Sequence, residues 1–527
     1  MNTPKLTKQE LCTLLSRRFA KEEKKLSDIP NPALMHNASD AAKKIADAIR
    51  ANKKITLVGD YDVDGVSSTA IMVDFFRQIP YPLEAIIPNR FRDGYGVSPT
   101  VLERVDADLV LTVDNGISAV AAAEVCKERG IELIITDHHT PGDVLPDTTF
   151  IVDPKLQECN YPFSEICGAQ VAWLLMALVK KELGLSIDMK QFLDILAIAI
   201  IADIMPLIDI NRTLVKEGLK LLATTSRPSS IVIRDRLEKS LLSSEDIAFQ
   251  IAPRLNSAGR LEDASIALEF FTAQDTYTAN KQYELLTQLN DLRKDTEAQT
   301  TLNAIEAVNS DDLITVVSGE GWHEGVVGIV AARLVDKFGK PAIVLSVEGG
   351  IAKGSARSIG EVNIYELIKE NAHYLSKFGG HKMAAGLGLN AIDIDAFRQA
   401  INTSAQAIDP KDFTPKESLC GILDAEDIDL DLLKLLESFE PYGEANIRPS
   451  FLLKDAEVVS IKLMGADKSH SRIEVRQYPH QKKLLEIIVF RRVFEMPSDR
   501  KITCSYSVAK NEFRGKVSVQ LLCNKIY

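Results

Sequence analysis

The chain has 527 residues, too many for one hydrophobic core, and at roughly 100–200 residues per domain it divides into three or four. An apolar fraction of 46% with 26% charged residues excludes a disordered, collagenous or small disulfide-stapled protein. The net charge of -12 argues against a uniformly basic nucleic-acid binder, but the charge is uneven: residues 446–527 hold 16 Lys/Arg against 8 Asp/Glu, a net of +8, and the rest 46 against 66, a net of -20.

Residues 1–40 are polar and read as an N-terminal arm without a signal-peptide core. Seven scattered cysteines with no CxxC pair imply reduced thiols and a cytoplasmic location. From residue 41 short apolar runs alternate with helical spacing. Ile55–Val58, Leu83–Ile87, Leu109–Val113, Ile131–Thr136 and Phe150–Val152 read as strands, with helices over Val66–Phe76 and Ala119–Arg129. That alternation predicts a parallel sheet with crossover helices across 41–225. Phe192–Ile208 is the most apolar stretch. It contains Asp194, Asp203 and Pro206, so it reads as a buried helix and not a membrane span. Ala273–Val308 lacks Gly and Pro and predicts one long helix within a connector at 226–310. A second strand–helix series fills 311–408. Short alternating runs from Phe451 onward predict a small all-β barrel within 409–527.

Ligands of open parallel sheets sit beyond the carboxyl ends of the strands. Here Gly59-Asp60-Tyr61-Asp62-Val63-Asp64-Gly65 follows the first strand, Asp114-Asn115-Gly116 the third and Asp137-His138-His139 the fourth. Carboxylates converging on one edge repel unless cations compensate them, and carboxylates with imidazole but no thiolate suit Mn²⁺ or Mg²⁺. An EF-hand is excluded, because the twelfth position from Asp60 is Ile71 and a strand precedes the loop. A Walker loop fails as well, since Gly354 is followed by Ser355 and not by Lys.

GDYDVDG, VDNGI and the DHH triplet resemble successive motifs of the DHH phosphoesterase superfamily, and IADIMPL resembles its helical Asp motif. WHEGVVGIVAARL, GSARS and GGHKMAAG are similar to its companion DHHA1 domain. RLNSAGR and the basic β-rich end narrow the resemblance to the superfamily's single-strand-specific 5′→3′ exodeoxyribonucleases, which act in DNA repair and recombination. The implied architecture is α/β: a DHH core of parallel sheet and flanking helices, a long connector helix, an α/β DHHA1 domain and a C-terminal OB-like barrel.

The resemblance further implies two divalent cations, Mn²⁺ or Mg²⁺, held by Asp60, Asp62, Asp64, Asp114, His138 and Asp203, with Asp114 as the bridge. His139 would act on the scissile phosphate and Asp137 would orient its neighbours. The family's imidazole four residues before Asp62 is replaced by Val58, which leaves Asp60 to substitute. Arg90, Arg260, Ser355, Arg357 and His381 would bind substrate phosphate. Arg472, Arg476, Lys482, Lys483, Arg491 and Arg492 would form a DNA-binding patch, with Tyr478, Phe490 and Phe494 available for stacking. The implied substrate is single-stranded DNA with a free 5′ end. The implied protein is a monomer off the membrane, with a helicase and a single-strand-binding protein as partners. The alternatives are a DHH phosphoesterase acting on pyrophosphate, short oligonucleotides or cyclic dinucleotides, and a scaffold with a degenerate core. The basic β-rich end argues against the first and the intact carboxylates against the second.

Overall fold

The computed structural model describes residues 3–19, 24–416, 418–465, 468–490, 492–513 and 516–527. The chain forms two compact units, Met1–Ala252 with Leu268–Ala279 and Ser418–Tyr527, and Pro253–Ala267 with Asn280–Glu417.

The first unit opens with a short strand β1 (Lys5–Leu6) and the helix Lys8–Phe19. A parallel sheet follows, of β2 (Ile55–Val58), β3 (Glu84–Ile86), β4 (Leu109–Thr112), β5 (Glu132–Thr136) and β6 (Phe150–Val152). The runs ITLV and LVLT are buried at every position, as strands covered on both faces must be. The spatial order is β3-β2-β4-β5-β6, so successive connections leave β2 in opposite directions. That reversal opens a crevice at the carboxyl ends of β2 and β4. The helix Leu193–Ala202 (LDILAIAIIA) is apolar all round and buried along its length. Its one carboxylate, Asp194, is answered by Arg227 Nε at 2.9 Å and Ser230 Oγ at 2.8 Å. Among the described residues no helix is long and apolar enough to cross a membrane.

The second unit carries a mixed sheet of β7 (Thr315–Glu320), β8 (Ala342–Glu348), β9 (Ile351–Arg357), β10 (Leu375–His381) and β11 (Ala384–Asn390), in the order β10-β11-β9-β8-β7. The long helix is Thr276–Glu306. It is fixed along its second-unit length: Arg293 donates to Glu297 at 2.6 Å and to Asn290 at 2.7 Å, and Arg333 of the helix Val327–Phe338 donates to Glu297 at 2.8 Å. This unit extends past residue 409, because Glu361 N–H donates to Asp412 O at 2.7 Å.

The C-terminal part of the first unit is a sheet of β12 (Leu419–Leu423), β13 (Ser450–Met464), β14 (His470–Arg476), β15 (Leu485–Val489), β16 (Lys501–Phe513) and β17 (Lys516–Ile526). β13 pairs with both β14 and β16 and shifts register along its length, so the sheet closes on itself. The opening residues depart from the expected arm. β1 pairs in parallel with β12, and the helix Lys8–Phe19 sends Leu11 and Leu15 into the barrel core beside Phe451, Ile473 and Tyr506. Two leucines one helical turn apart are too weak a stripe to reveal a partner four hundred residues away.

Candidate metal centre

The first motif leaves β2 and turns directly into the helix Val63–Phe76. Asp62 caps that helix, accepting from Gly65 N–H at 3.0 Å. Gly65 is required by space: a Cβ there would lie 2.6 Å from the Cβ of Asp60. Asp64 accepts from Gly168 N–H at 2.6 Å and Ala169 N–H at 2.9 Å, so the amino end of the helix Gly168–Glu182 anchors its carboxylate. Asp114 follows β4 in the left-handed region, φ +62°. Beside it the buried Asn115 donates to Val58 O at 3.1 Å and accepts from Val97 N–H at 2.8 Å, which ties the ends of β2 and β4 to the 89–98 loop.

Asp137, at the end of β5, is fully engaged. One oxygen accepts from His138 N–H at 2.7 Å and His139 N–H at 3.2 Å and lies 2.7 Å from His139 Nδ1, while the other accepts from Ile117 N–H at 2.9 Å. These bonds hold the His139 ring and backbone against the Asp137 carboxylate. Asp203 caps the carboxyl end of the helix Leu193–Ala202. His138 Nε2 lies 3.1 Å from Asp114 Oδ1 and 3.6 Å from oxygens of both Asp64 and Asp203.

The result is three overlapping groups of potential ligand atoms, each within 4.8 Å: Asp60, Asp62 and Asp114; Asp64, His138 and Asp203; Asp114, His138 and His139. Asp60 Oδ1, Asp114 Oδ1, Asp203 Oδ2 and both ring nitrogens of His138 are buried without a hydrogen-bond partner, the 3.1 Å approach of His138 to Asp114 being misaligned for one. Burial pushes Asp60, Asp114 and Asp203 well above the usual carboxylate range, and their acidic neighbours push further: Asp62 on Asp60, and Asp64 and Asp62 on the other two. Burial also lowers His138, with Asp64 opposing. His139 is different: burial disfavours its charge, but the bond to Asp137 wins and holds it up to about 9. Burial would raise Asp137, yet that same bond leaves it low. Orphaned acceptors, mutually repelling carboxylates and an imidazole kept neutral are the donor set that a pair of divalent cations fits.

Val58 is buried in β2 and supplies no ligand. The Arg90 guanidinium lies 4.3 Å from the Tyr61 ring centroid, and its Nε is buried without a hydrogen-bond partner. Sequence reading missed Tyr95. Its hydroxyl donates to Asp114 O at 3.2 Å and lies 3.5 Å from His139 Nε2, and its ring meets Tyr61 and His139 edge-on. An aromatic between Gly94 and Gly96, both at positive φ, was the available signal.

In the second unit, Arg357 Nη1 donates to Ser355 Oγ at 2.8 Å. Gly328 keeps the space beside them open, since a Cβ there would meet both side chains at 3.0 Å. Burial disfavours the charge of Arg357, and among the described residues no carboxylate pairs with it. Strand register sets His381, Ala384 and Arg357 in one row across β10, β11 and β9. Arg260 donates to Gly325 O at 3.2 Å.

The barrel's basic patch is narrower than the charge count implied. Arg472 is paired with Glu486 and Arg476 with Glu457, and Lys483 donates to Ile428 O at 2.9 Å. Lys482 and Arg492 are exposed, and Arg491 lies outside the described residues. Phe490 and Tyr478 are partly open to solvent, whereas Phe494 packs against the core.

Three family models match in order: the DHH family, N-terminal domain, over residues 54–200, the DHHA1 domain over 311–407 and the RecJ OB domain over 421–525. The carboxylate cluster at the crevice of the parallel sheet lies in or beside the DHH match, and with the DHHA1 match the chain has the make-up of a DHH/DHHA1 phosphoesterase. The single-stranded-DNA-specific exonuclease RecJ of Haemophilus influenzae is 32% identical over 96% of this chain and 93% of its own length. The Bacillus subtilis protein of the same name is 38% identical over 86% of this chain, which spans only 59% of that longer relative. The crystal structure of RecJ in complex with Mn²⁺ from Thermus thermophilus superposes with a TM-score of 0.82 at 26% identity, covering 99% of this chain and 79% of that one, and a structure of that protein with Mg²⁺ gives 0.77. The chain belongs to the RecJ family of exonucleases.

Proposed function

We propose that this chain is a metal-dependent exonuclease that degrades single-stranded DNA from a free 5′ end to deoxynucleoside 5′-monophosphates. The observation that carries the reading is the convergence of Asp60, Asp62, Asp64, Asp114, His138 and Asp203 on one crevice, where ligand atoms of Asp60, Asp114, His138 and Asp203 are buried and unpartnered. Asp60, Asp62 and Asp114 would hold one divalent cation, Mn²⁺ or Mg²⁺, and Asp64, His138 and Asp203 the other. When bound, the cations neutralise phosphoryl charge and make water acidic enough to supply a nucleophile near neutral pH.

The chain's own residues do the rest. Asp137 holds His139 in one orientation, and His139 presents Nε2 to the scissile phosphate. There it stabilises the charge that builds on phosphorus oxygens and gives a proton to the departing 3′ oxygen. The bond from phosphorus to that oxygen breaks, and the next nucleotide keeps a 5′-phosphate. Arg90 adds a second positive charge beside Asp60. Ser355 and Arg357, with Arg260 and His381, bind the phosphates that mark the strand's 5′ end. Lys482, Arg492 and the exposed aromatics of the barrel guide the single strand, a contact that weakens with salt. The protein acts as a cytoplasmic monomer on strands that a helicase opens and a single-strand-binding protein coats.

End-labelled single- and double-stranded oligonucleotides, with Mn²⁺, Mg²⁺ or chelator, test the reading. Stepwise release of mononucleotides from the 5′ end of single strands, abolished by chelator, is expected. Release from 3′ ends, or equal attack on duplex, refutes it.

A further inference from the structure

The helix that delivers Asp203 ends in an unusual residue. Asp203 is its cap, Ile204 N–H donates to Ile201 O at 3.2 Å and Met205 N–H donates to Ile200 O at 3.1 Å. This is a Schellman turn, and the residue after the cap must be left-handed, a place glycine usually takes. Here it is Ile204, at φ +55°. A β-branched side chain is among the least suited to that region.

Folding offers Ile204 no compensation. The residue is 68% exposed, so its hydrocarbon is not buried in the chain's own core. The two hydrogen bonds that close the turn are made by backbone atoms, and glycine would close it equally well. Asp114, the other left-handed residue of the cluster, shows the contrast. Aspartate tolerates that region, and its carboxylate is placed among the ligand atoms. At Ile204 the same strain displays hydrocarbon, next in sequence to a carboxylate whose Oδ2 lies 3.6 Å from His138 Nε2. Strained residues cluster at active sites and ligand clamps, where contact with a ligand can repay the strain.

We infer that Ile204 is a substrate-contact residue, whose side chain packs against the apolar face of the nucleotide being released, its deoxyribose and base edge. The inference rests on the exonuclease reading above. It assigns a nucleotide-gripping role to a side chain that neither binds a cation nor touches a phosphate.

Ile204→Gly and Ile204→Val in the full chain test it, by steady-state hydrolysis of a 5′-labelled single-stranded oligodeoxynucleotide with Mn²⁺ and by thermal melting. Ile204→Gly is expected to melt at the wild-type temperature or above it, because left-handed strain is removed, yet to raise KM about tenfold. Ile204→Val keeps a branched apolar surface and is expected to stay within about twofold of wild type. A KM for Ile204→Gly equal to that of wild type, or a lower melting temperature, overturns the inference while leaving the exonuclease reading intact. A wild-type chain that releases no mononucleotides overturns both.

Discussion

Gly168→Ala separates local helix preference from the demands of the cluster. Gly168 opens the helix Gly168–Glu182 and donates its N–H to Asp64 at 2.6 Å. Alanine is the better helix former by up to about 1 kcal/mol, so on local grounds the substitution stabilises the protein. Space says otherwise, because a Cβ on residue 168 would fall 2.5 Å from Asp114 Oδ1 and from its Cβ. Either the Asp114 carboxylate or the anchored Asp64 must give way. A displacement of about an ångström costs roughly 100-fold in turnover. Disturbing what holds a ligand costs about 10–100-fold in metal affinity, or ~1.4–2.8 kcal/mol. Calorimetric titration with Mn²⁺ and turnover on a single-stranded oligonucleotide measure both, and melting in chelator reports the fold. We expect weak Mn²⁺ binding and low turnover in a protein that melts normally. Wild-type affinity and turnover would refute the claim that close packing on Gly168 fixes the cluster.

Protons and cations should compete for the same atoms. Asp60, Asp114 and Asp203 have raised folded values, so their ionised forms destabilise the metal-free protein, and that cost shrinks as pH falls. His139, held up to about 9, acts in the same direction: its stabilisation is complete below its unfolded value near 6.5 and is lost as pH rises through about 9. His138, lowered by burial, opposes them only as pH falls through its unfolded value near 6.5. Melting in chelator should therefore move upward from about pH 9 to about pH 7, and Mn²⁺ should raise it more at the higher pH; the reverse order would contradict the cluster. Leu15→Ala should cost about 2–5 kcal/mol in denaturant titration despite its place near the chain start, and an unchanged midpoint would deny its burial in the barrel. Arg227→Ala should cost about 3–5 kcal/mol in denaturant titration, because one guanidinium serves both Asp194 and Asp74 and its loss strips both carboxylates of it; an unchanged midpoint would be the wrong result. Arg357→Gln should raise KM about tenfold for a 5′-phosphorylated strand and much less for a 5′-hydroxyl strand.

The catalytic sheet was legible because its strands are short, apolar on both faces and followed at once by charge. Asp60, Asp62, Asp64, Asp114 and His138 could be placed at one edge from that pattern alone. Asp203 stood out as a carboxylate in an apolar stretch. Other features depend on partners that a linear reading does not supply. The strands β10 and β11 carry Gly379, Gly380, Gly386 and Gly388, and glycine-rich runs do not look like strands. Arg472 and Arg476 count as free positive charge until Glu486 and Glu457 are found across the sheet. Tyr95 and Ile204 matter through conformation, one held between two left-handed glycines and the other left-handed itself, and backbone angle leaves little trace in residue type.

Three strand ends and one helix end bring together the ligands for two cations. Counting Mn²⁺ ions per chain by calorimetry, in wild type and in Asp114→Asn, tests this most directly. Two ions are expected in the wild type and the weakening of both in Asp114→Asn, since Asp114 belongs both with Asp60 and Asp62 and with His138. A wild type that binds one ion or none, or an Asp114→Asn variant that keeps two at full affinity, would contradict it.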